Sequence, residues 1–218
     1  MIVAIDGPAG SGKGTIASIL SERLNLVNID TGATYRCLAL ECLNNNLTLD
    51  DKEEIINLSK NIDIKFDLDK KVYLNNVDVT KEIRSSEVTK FSSPMSAIVE
   101  VRKNMVDLQR RLASNNSVVM EGRDITTVVF PNADYKFYLD ASLEERAKRR
   151  YEQNKKNNIN TTLEEVYEDI KTRDYNDTHK EVGSLTRTDE QIYIDSSNLS
   201  IQEVANKMIK IIRGELWI

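Results

Sequence analysis

The chain has 218 residues, 40 % apolar and 30 % charged, with 30 basic against 35 acidic side chains and a net charge of −5. At roughly 150 residues per domain, this is one large domain or one with insertions, with apolar residues enough for a core. The acidic balance disfavours a duplex binder that works by neutralising nucleic-acid phosphates, and one His with two Cys leaves almost no room for a Cys/His zinc centre.

In chain order, residues 2–5 form a short β-branched strand candidate, too short for a secretion signal or a membrane span and ended by Asp6. A Gly-rich turn and an amphipathic stretch over 13–24 follow, then a second strand candidate at 26–29 and a helical pattern over 32–43. This pattern carries Cys37 and Cys42, expected as reduced thiols in a cytoplasmic protein. Short runs at 62–66, 72–74 and 77–79 are split by the turn-like Asp67-Leu68-Asp69 and by Asn75-Asn76, a pair that tolerates the left-handed backbone of a tight hairpin. Residues 60–95 therefore read as a small antiparallel insert, and 96–113 as one long helix leading back to the core.

Strand candidates at 118–120, 135–139 and 191–194 complete the set. Ser142 with Glu145, Thr162 with Glu165 and Ser200 with Glu203 have the spacing of helix-starting capping boxes. Residues 146–180 read as two polar helices joined by an Asn/Lys run. Strands alternating with helices imply an α/β fold, a parallel sheet with helices on both faces.

Gly7-Pro8-Ala9-Gly10-Ser11-Gly12-Lys13-Gly14-Thr15 follows the first strand and opens the first helix. Glycines let backbone N–H groups face a polyphosphate, the helix N-terminus adds positive potential, and Lys13 can reach the outer phosphates. This is a nucleoside triphosphate site. The position after Lys13, usually a Mg²⁺-binding hydroxyl, is Gly14, with Thr15 one residue later; this G-K-G-T order resembles nucleoside monophosphate kinases rather than GTPases or motor ATPases.

A second anion pocket is expected where Thr31 and Gly32 start a helix after the second strand, with Arg36 one turn on. Glu121-Gly122-Arg123-Asp124 follows a third strand at the edge where open α/β sheets bind ligands. Arg173 and Asp177 lie one turn apart on the second polar helix. Several Arg side chains converging on one edge suit phosphoryl transfer, in which catalysis is positioning plus cationic stabilisation of the transferred group.

With these residues in view, the chain resembles the bacterial cytidylate kinase (CMP kinase) family over essentially its whole length. The resemblance rests on the I-D-G-P-A-G-S-G-K-G-T, D-T-G-A-T-Y-R, G-R-D-I, T-V-V-F-P, L-D-A-S-x-E-E-R-A-x-R-R and I-K-x-R-D motifs, with Ser93, Val101-Arg102, Gln109-Arg110 and Asp177. It implies a single phosphate-loop kinase domain over 1–218, with 60–95 as the nucleoside-monophosphate-binding insert and 146–180 as the lid.

The resemblance further implies that Gly7 to Thr15 bind ATP and that Lys13, Arg123 and Arg173 are catalytic. Thr31, Arg36, Arg123 and Arg173 would bind the CMP phosphate end; Ser93, Arg102 and Asp124 would read cytosine; and Asp177 would contact the ribose. A carboxylate accepts from the cytosine amine and meets repulsion from the uracil oxygen. Mg²⁺ would be held by ATP and water, with no direct protein ligand. Three departures from the family pattern stand out: Thr31 for Ser, Thr126 where Gly is common, and Lys180 for a lid Arg.

The expected activity is transfer of the ATP γ-phosphoryl to CMP or dCMP by a monomer without nucleic-acid or membrane partners. The alternatives are another small-molecule phosphate-loop kinase, acting on UMP, AMP or a metabolite, and an ATP-dependent regulatory switch.

Overall fold

The computed structural model describes residues 1–67 and 71–216. The first half runs β1 (Ile2–Asp6), α1 (Lys13–Leu24), β2 (Val27–Asp30), α2 (Thr31–Asn44), α3 (Lys52–Asn61), β3 (Ile64–Phe66), β4 (Val72–Leu74), β5 (Val77–Asp78), α4 (Ser86–Met95) and α5 (Val99–Ala113). The second half runs β6 (Val118–Gly122), a single wide turn (Ile125–Val129), β7 (Tyr135–Asp140), α6 (Leu143–Lys156), α7 (Leu163–Thr178), β8 (Ile192–Asp195) and α8 (Ile201–Ile212).

The main sheet has the order β2-β6-β1-β7-β8 with every pairing parallel, and β3-β4-β5 form a separate antiparallel sheet. Alternation along β1 assigns the two faces. Val3 and Ile5 pack with Ile16 and Leu20 of α1 and with Val204 and Met208 of α8. Ala4 faces the other way, with Ile29, Met120, Val106 of α5 and Ile125 of the wide turn. Parallel strands covered on both faces are apolar throughout. The polar residues Asp6, Asp30 and Glu121 therefore come at or near the strand ends, all on one edge.

The α/β expectation and the parallel sheet hold, and α1 has the expected bounds. The insert differs in part. Its antiparallel sheet covers only 64–78, and residues 86–95 form α4, started by Ser85, whose side chain accepts from the Val88 N–H. The expected helix over 96–113 begins at Val99, because Ile98 is extended at φ −69° and ψ 119°. Helix α3, not singled out from sequence, buries Ile55 and Ser59 and packs Ile56 and Leu58 against the cluster that holds Ile55.

Leu68 and Asp69 of the expected turn lie outside the described residues. Thr162 and Ser200 form complete capping boxes, and Ser142 caps α6 through the Glu145 N–H.

The Asn75-Asn76 hairpin has both residues in the left-handed region, at φ 50° and 66°. A β-branched side chain costs about 1–2 kcal/mol there. Asn76→Val should lower unfolding stability by that amount in urea titration, and Asn76→Gly should leave it unchanged or raise it.

Candidate active site

The phosphate loop leaves β1 at Gly7, where a Cβ would stand 2.0 Å from the carbonyl oxygen of Leu139. Only glycine lets the loop fold this tightly against β7. Lys13 is buried and its Nζ donates to the Pro8 carbonyl at 2.9 Å, folding back into its own loop. The Ser11 hydroxyl is buried without a hydrogen-bond partner, while Gly14 and Thr15 are exposed at the loop's open end. Burial pushes the Lys13 amine down to about 7, with Arg123 and Arg173 adding to the fall and Glu121 and Asp6 opposing it.

Beside this loop the carboxyl edge holds a series of paired charges. Asp30 caps α2 through the Ala33 N–H at 2.9 Å and holds Arg36 at 2.8 Å. The Thr31 hydroxyl donates to the Glu121 carbonyl at 2.8 Å, tying the start of α2 to β6. Arg123 Nε meets Asp177 at 2.6 Å and Lys180 meets the same carboxylate at 3.0 Å. Burial alone would lift Asp177, but Arg123 and Lys180 outweigh it and hold it at about 2. Arg173 differs from the others: it is exposed and makes no hydrogen bond or ion pair among the described residues.

Arg102 and Asp124 meet deeper in the fold at 2.6 Å, both almost fully buried. Arg102 Nη2 and Asp124 Oδ2 make this contact, and the buried Arg102 Nε has no hydrogen-bond partner among the described residues. Arg102 also lies over the Tyr35 ring, 5.8 Å from its centroid, and donates to the Gly183 carbonyl at 3.1 Å. Gly183 comes so close that a Cβ would stand 2.1 Å from Arg102 Nε. Pairing a guanidinium with a carboxylate offsets part of the cost of burying both charges.

The sequence-predicted residues are thus brought together along one edge, with Ser93 the exception. Its side chain is exposed on α4 and bonds to neither Arg102 nor Asp124; its carbonyl accepts from Ser96, whose own carbonyl accepts from Arg102.

Several residues of the site were given no role from sequence. Asp6 is fully buried and accepts from the N–H groups of Ile125 and Thr126. Glu121 lies beside Gly14, its carboxylate lifted by burial. Asp174 pairs with Arg146 at 2.5 Å and accepts from the Ala9 N–H at 3.2 Å, joining α7 to the phosphate loop. Ala9 packs with Ala147, Val166 and Ile170 at the same junction. These partners lie 28 to 165 residues apart, and only the run of charged motif residues could have hinted at them.

Among known proteins, the sequence pattern of the cytidylate kinase family matches residues 3–214. The chain is 45 % identical over 217 residues to the cytidylate kinase of Leuconostoc mesenteroides subsp. mesenteroides, covering 98 % of this chain and 97 % of that one. It is also 45 % identical over 210 residues to the cytidylate kinase of Fusobacterium nucleatum, covering 96 % of each. The chain belongs to the cytidylate kinase family. Membership makes it a nucleoside monophosphate kinase with ATP as phosphoryl donor. A solved structure of an uncharacterized protein from Eubacterium ventriosum shares the fold, with a TM-score of 0.54 at 13 % identity over 98 % of both chains. No helix among the described residues is long and apolar enough to cross a membrane.

Against the family pattern, Thr31 keeps a working hydroxyl and Lys180 keeps an ion pair to Asp177, though without a guanidinium's fork.

The state of Lys13 generates a prediction. Phosphates beside it favour the ammonium, so polyphosphate binding raises its pKa above about 7 and takes up a proton. Affinity for a non-hydrolysable ATP analogue should be flat below pH 7 and weaken up to about tenfold per unit above it, until the bound-state pKa is passed. Calorimetry at pH 8 in buffers of different ionisation enthalpy should show the proton uptake.

Proposed function

We propose that the chain transfers the γ-phosphoryl group of ATP to the 5′-phosphate of CMP or dCMP, giving ADP and the nucleoside diphosphate. The observation that carries the base preference is the buried Arg102–Asp124 pair, a guanidinium donor and a carboxylate acceptor side by side near the second anion pocket. A cytosine edge presents an amine donor next to acceptors, matching both; uracil turns the donor into an acceptor facing a carboxylate.

In this reading the loop 7–15 wraps the ATP phosphates and Lys13 swings from the Pro8 carbonyl to the outer ones. Thr31, Arg36 and Arg123 hold the acceptor phosphate, exchanging Asp30 and Asp177 for phosphate oxygens. Asp177, released from Arg123, turns to the ribose, and Ser93 approaches the base as the insert over 60–95 closes. A 5′-phosphate oxygen attacks the γ-phosphorus as the bond to the β,γ-bridging oxygen breaks, and the electron pair leaves with ADP. Arg123 and Arg173 stabilise the charge on the transferring group.

Arg173, exposed and unpaired, is delivered by closure of the lid over 146–180, which also excludes water that would otherwise hydrolyse ATP. Gly14 offers no hydroxyl, so Mg²⁺ would be held by the ATP phosphates and water, with the Glu121 carboxylate the acidic group beside Gly14. When bound, it neutralises phosphate charge. The same reading takes the protein as a cytoplasmic monomer with ATP and CMP as its partners.

Two substitutions test this. Lys13→Ala should cut kcat by at least about a hundredfold with folding unchanged by circular dichroism; near-normal turnover contradicts the phosphate-loop assignment. Asp124→Ala should erode the preference for CMP over UMP by about tenfold or more. An unchanged preference refutes its role.

A further inference from the structure

Thr126 lies two residues beyond Asp124 in the wide turn after β6, and it is 4 % exposed. Its hydroxyl is used twice: Oγ1 donates to Asp6 Oδ2 at 2.6 Å and accepts from Gln191 Nε2 at 2.5 Å. The Gln191 Oε1 already accepts from the Thr188 N–H, so its NH₂ faces Thr126 and can only donate, which leaves the Thr126 proton for Asp6. The Thr126 N–H adds a bond to Asp6 Oδ2 at 2.9 Å, and the Ile125 N–H one to Oδ1 at 2.8 Å. Asp6, fully buried, is the last residue of β1 and directly precedes the phosphate loop.

Gln191 continues the chain of bonds on the other side. It is 7 % exposed, its Oε1 accepts from the Thr188 N–H at 2.7 Å, and its Nε2 also reaches the Thr186 carbonyl at 3.4 Å. Thr186 and Thr188 belong to the segment after α7 that carries Gly183, whose carbonyl is held by Arg102 at 3.1 Å. Arg102 in turn pairs with Asp124. The bonds therefore close a ring: Asp124, Arg102, the 183–188 segment, Gln191, Thr126 and back through the backbone to Asp124. On the outer side Arg110 grips the turn through the carbonyls of Val128 and Val129.

We infer that Thr126 is a positioning residue for base recognition: its hydroxyl sets where Asp124 stands relative to Arg102 by bonding the turn to both Asp6 and Gln191. The inference rests on the proposed reading in which Arg102 and Asp124 meet the base. Thr126 touches neither nucleotide; it acts through the loop. A carboxylate that tells an amine from a carbonyl oxygen does so only at hydrogen-bonding distance. A turn freed on one side lets Asp124 move away from that position. Removing the hydroxyl also leaves the Gln191 amide buried without its Thr126 acceptor.

The test compares Thr126→Val, Thr126→Ser and Asp124→Ala in steady-state kinetics with CMP and UMP, alongside thermal midpoints. Thr126→Val should raise KM for CMP about tenfold, as expected for loss of one hydrogen bond to a charged group. It should also shrink the CMP-over-UMP ratio of kcat/KM, with KM for ATP moving less than about threefold. Thr126→Ser, which keeps the hydroxyl, should restore both quantities.

If Thr126→Val fails to fold, Gln191→Leu breaks the same ring from its other side and should give the same selective loss. An intact CMP/UMP ratio in the valine or leucine variant, with only the melting temperature lowered, overturns the inference. In that case a ratio collapsed by Asp124→Ala leaves the base-pocket reading standing, whereas a ratio that survives Asp124→Ala too removes both.

Discussion

The site must gather cations at one edge of a sheet in a protein that is acidic overall, and it must do so before any phosphate arrives. Arg36, Arg102, Arg123, Arg146 and Lys180 are each held by an aspartate, namely Asp30, Asp124, Asp177, Asp174 and Asp177 again. Partly buried charges this close would repel one another strongly without such partners. In the proposed reading, phosphate oxygens take the place of Asp30 on Arg36 and of Asp177 on Arg123. Lys13, buried and hydrogen-bonded to the Pro8 carbonyl, has its pKa lowered by burial and by Arg123 and Arg173, more than Glu121 and Asp6 offset.

Parallel topology makes this possible. The carboxyl ends of β1, β2 and β6 stand side by side, so the phosphate loop, the start of α2 and the Glu121–Asp124 stretch converge from residues far apart in the chain. Asp6 is the joint between the first and the third. Its carboxylate accepts from Ile125 and Thr126, so the loop that meets the triphosphate and the loop that carries Asp124 cannot shift independently. Asp174 makes a comparable joint between α7 and Ala9. Donor loop, acceptor pocket and polar helices are thereby linked by short buried bonds rather than by packing alone.

Much of this was legible in the sequence because it is local. The phosphate loop and α1 are a contiguous pattern of glycines, Lys13 and apolar spacing. The capping Thr162 and Ser200 and the Asn75-Asn76 turn state their geometry within a few residues. The insert was half legible: its hairpin shows alternation and a turn pair, but α4, with Val88, Thr89, Phe91 and Pro94, has the composition of a strand or loop and is made helical by its Ser85 cap and by burial of Val88 and Met95.

The partners within the site were not legible. Asp6 with Thr126, Arg102 with Gly183 and Ala9 with Asp174 are 120, 81 and 165 residues apart. Family resemblance named Arg102 and Asp124, with Ser93, as base readers, whereas their ion pair and the two hydrogen bonds of Thr126 emerged only from the structure.

The most direct measurement of the whole account is ADP formation from Mg-ATP with CMP, dCMP, UMP or AMP as acceptor, each against a blank without acceptor. The charge arrangement and the Arg102–Asp124 pair predict turnover with CMP and dCMP, little with UMP or AMP, and almost none in the blank. Equal turnover with UMP or AMP would contradict the base pocket, and hydrolysis independent of any acceptor would contradict the transfer itself.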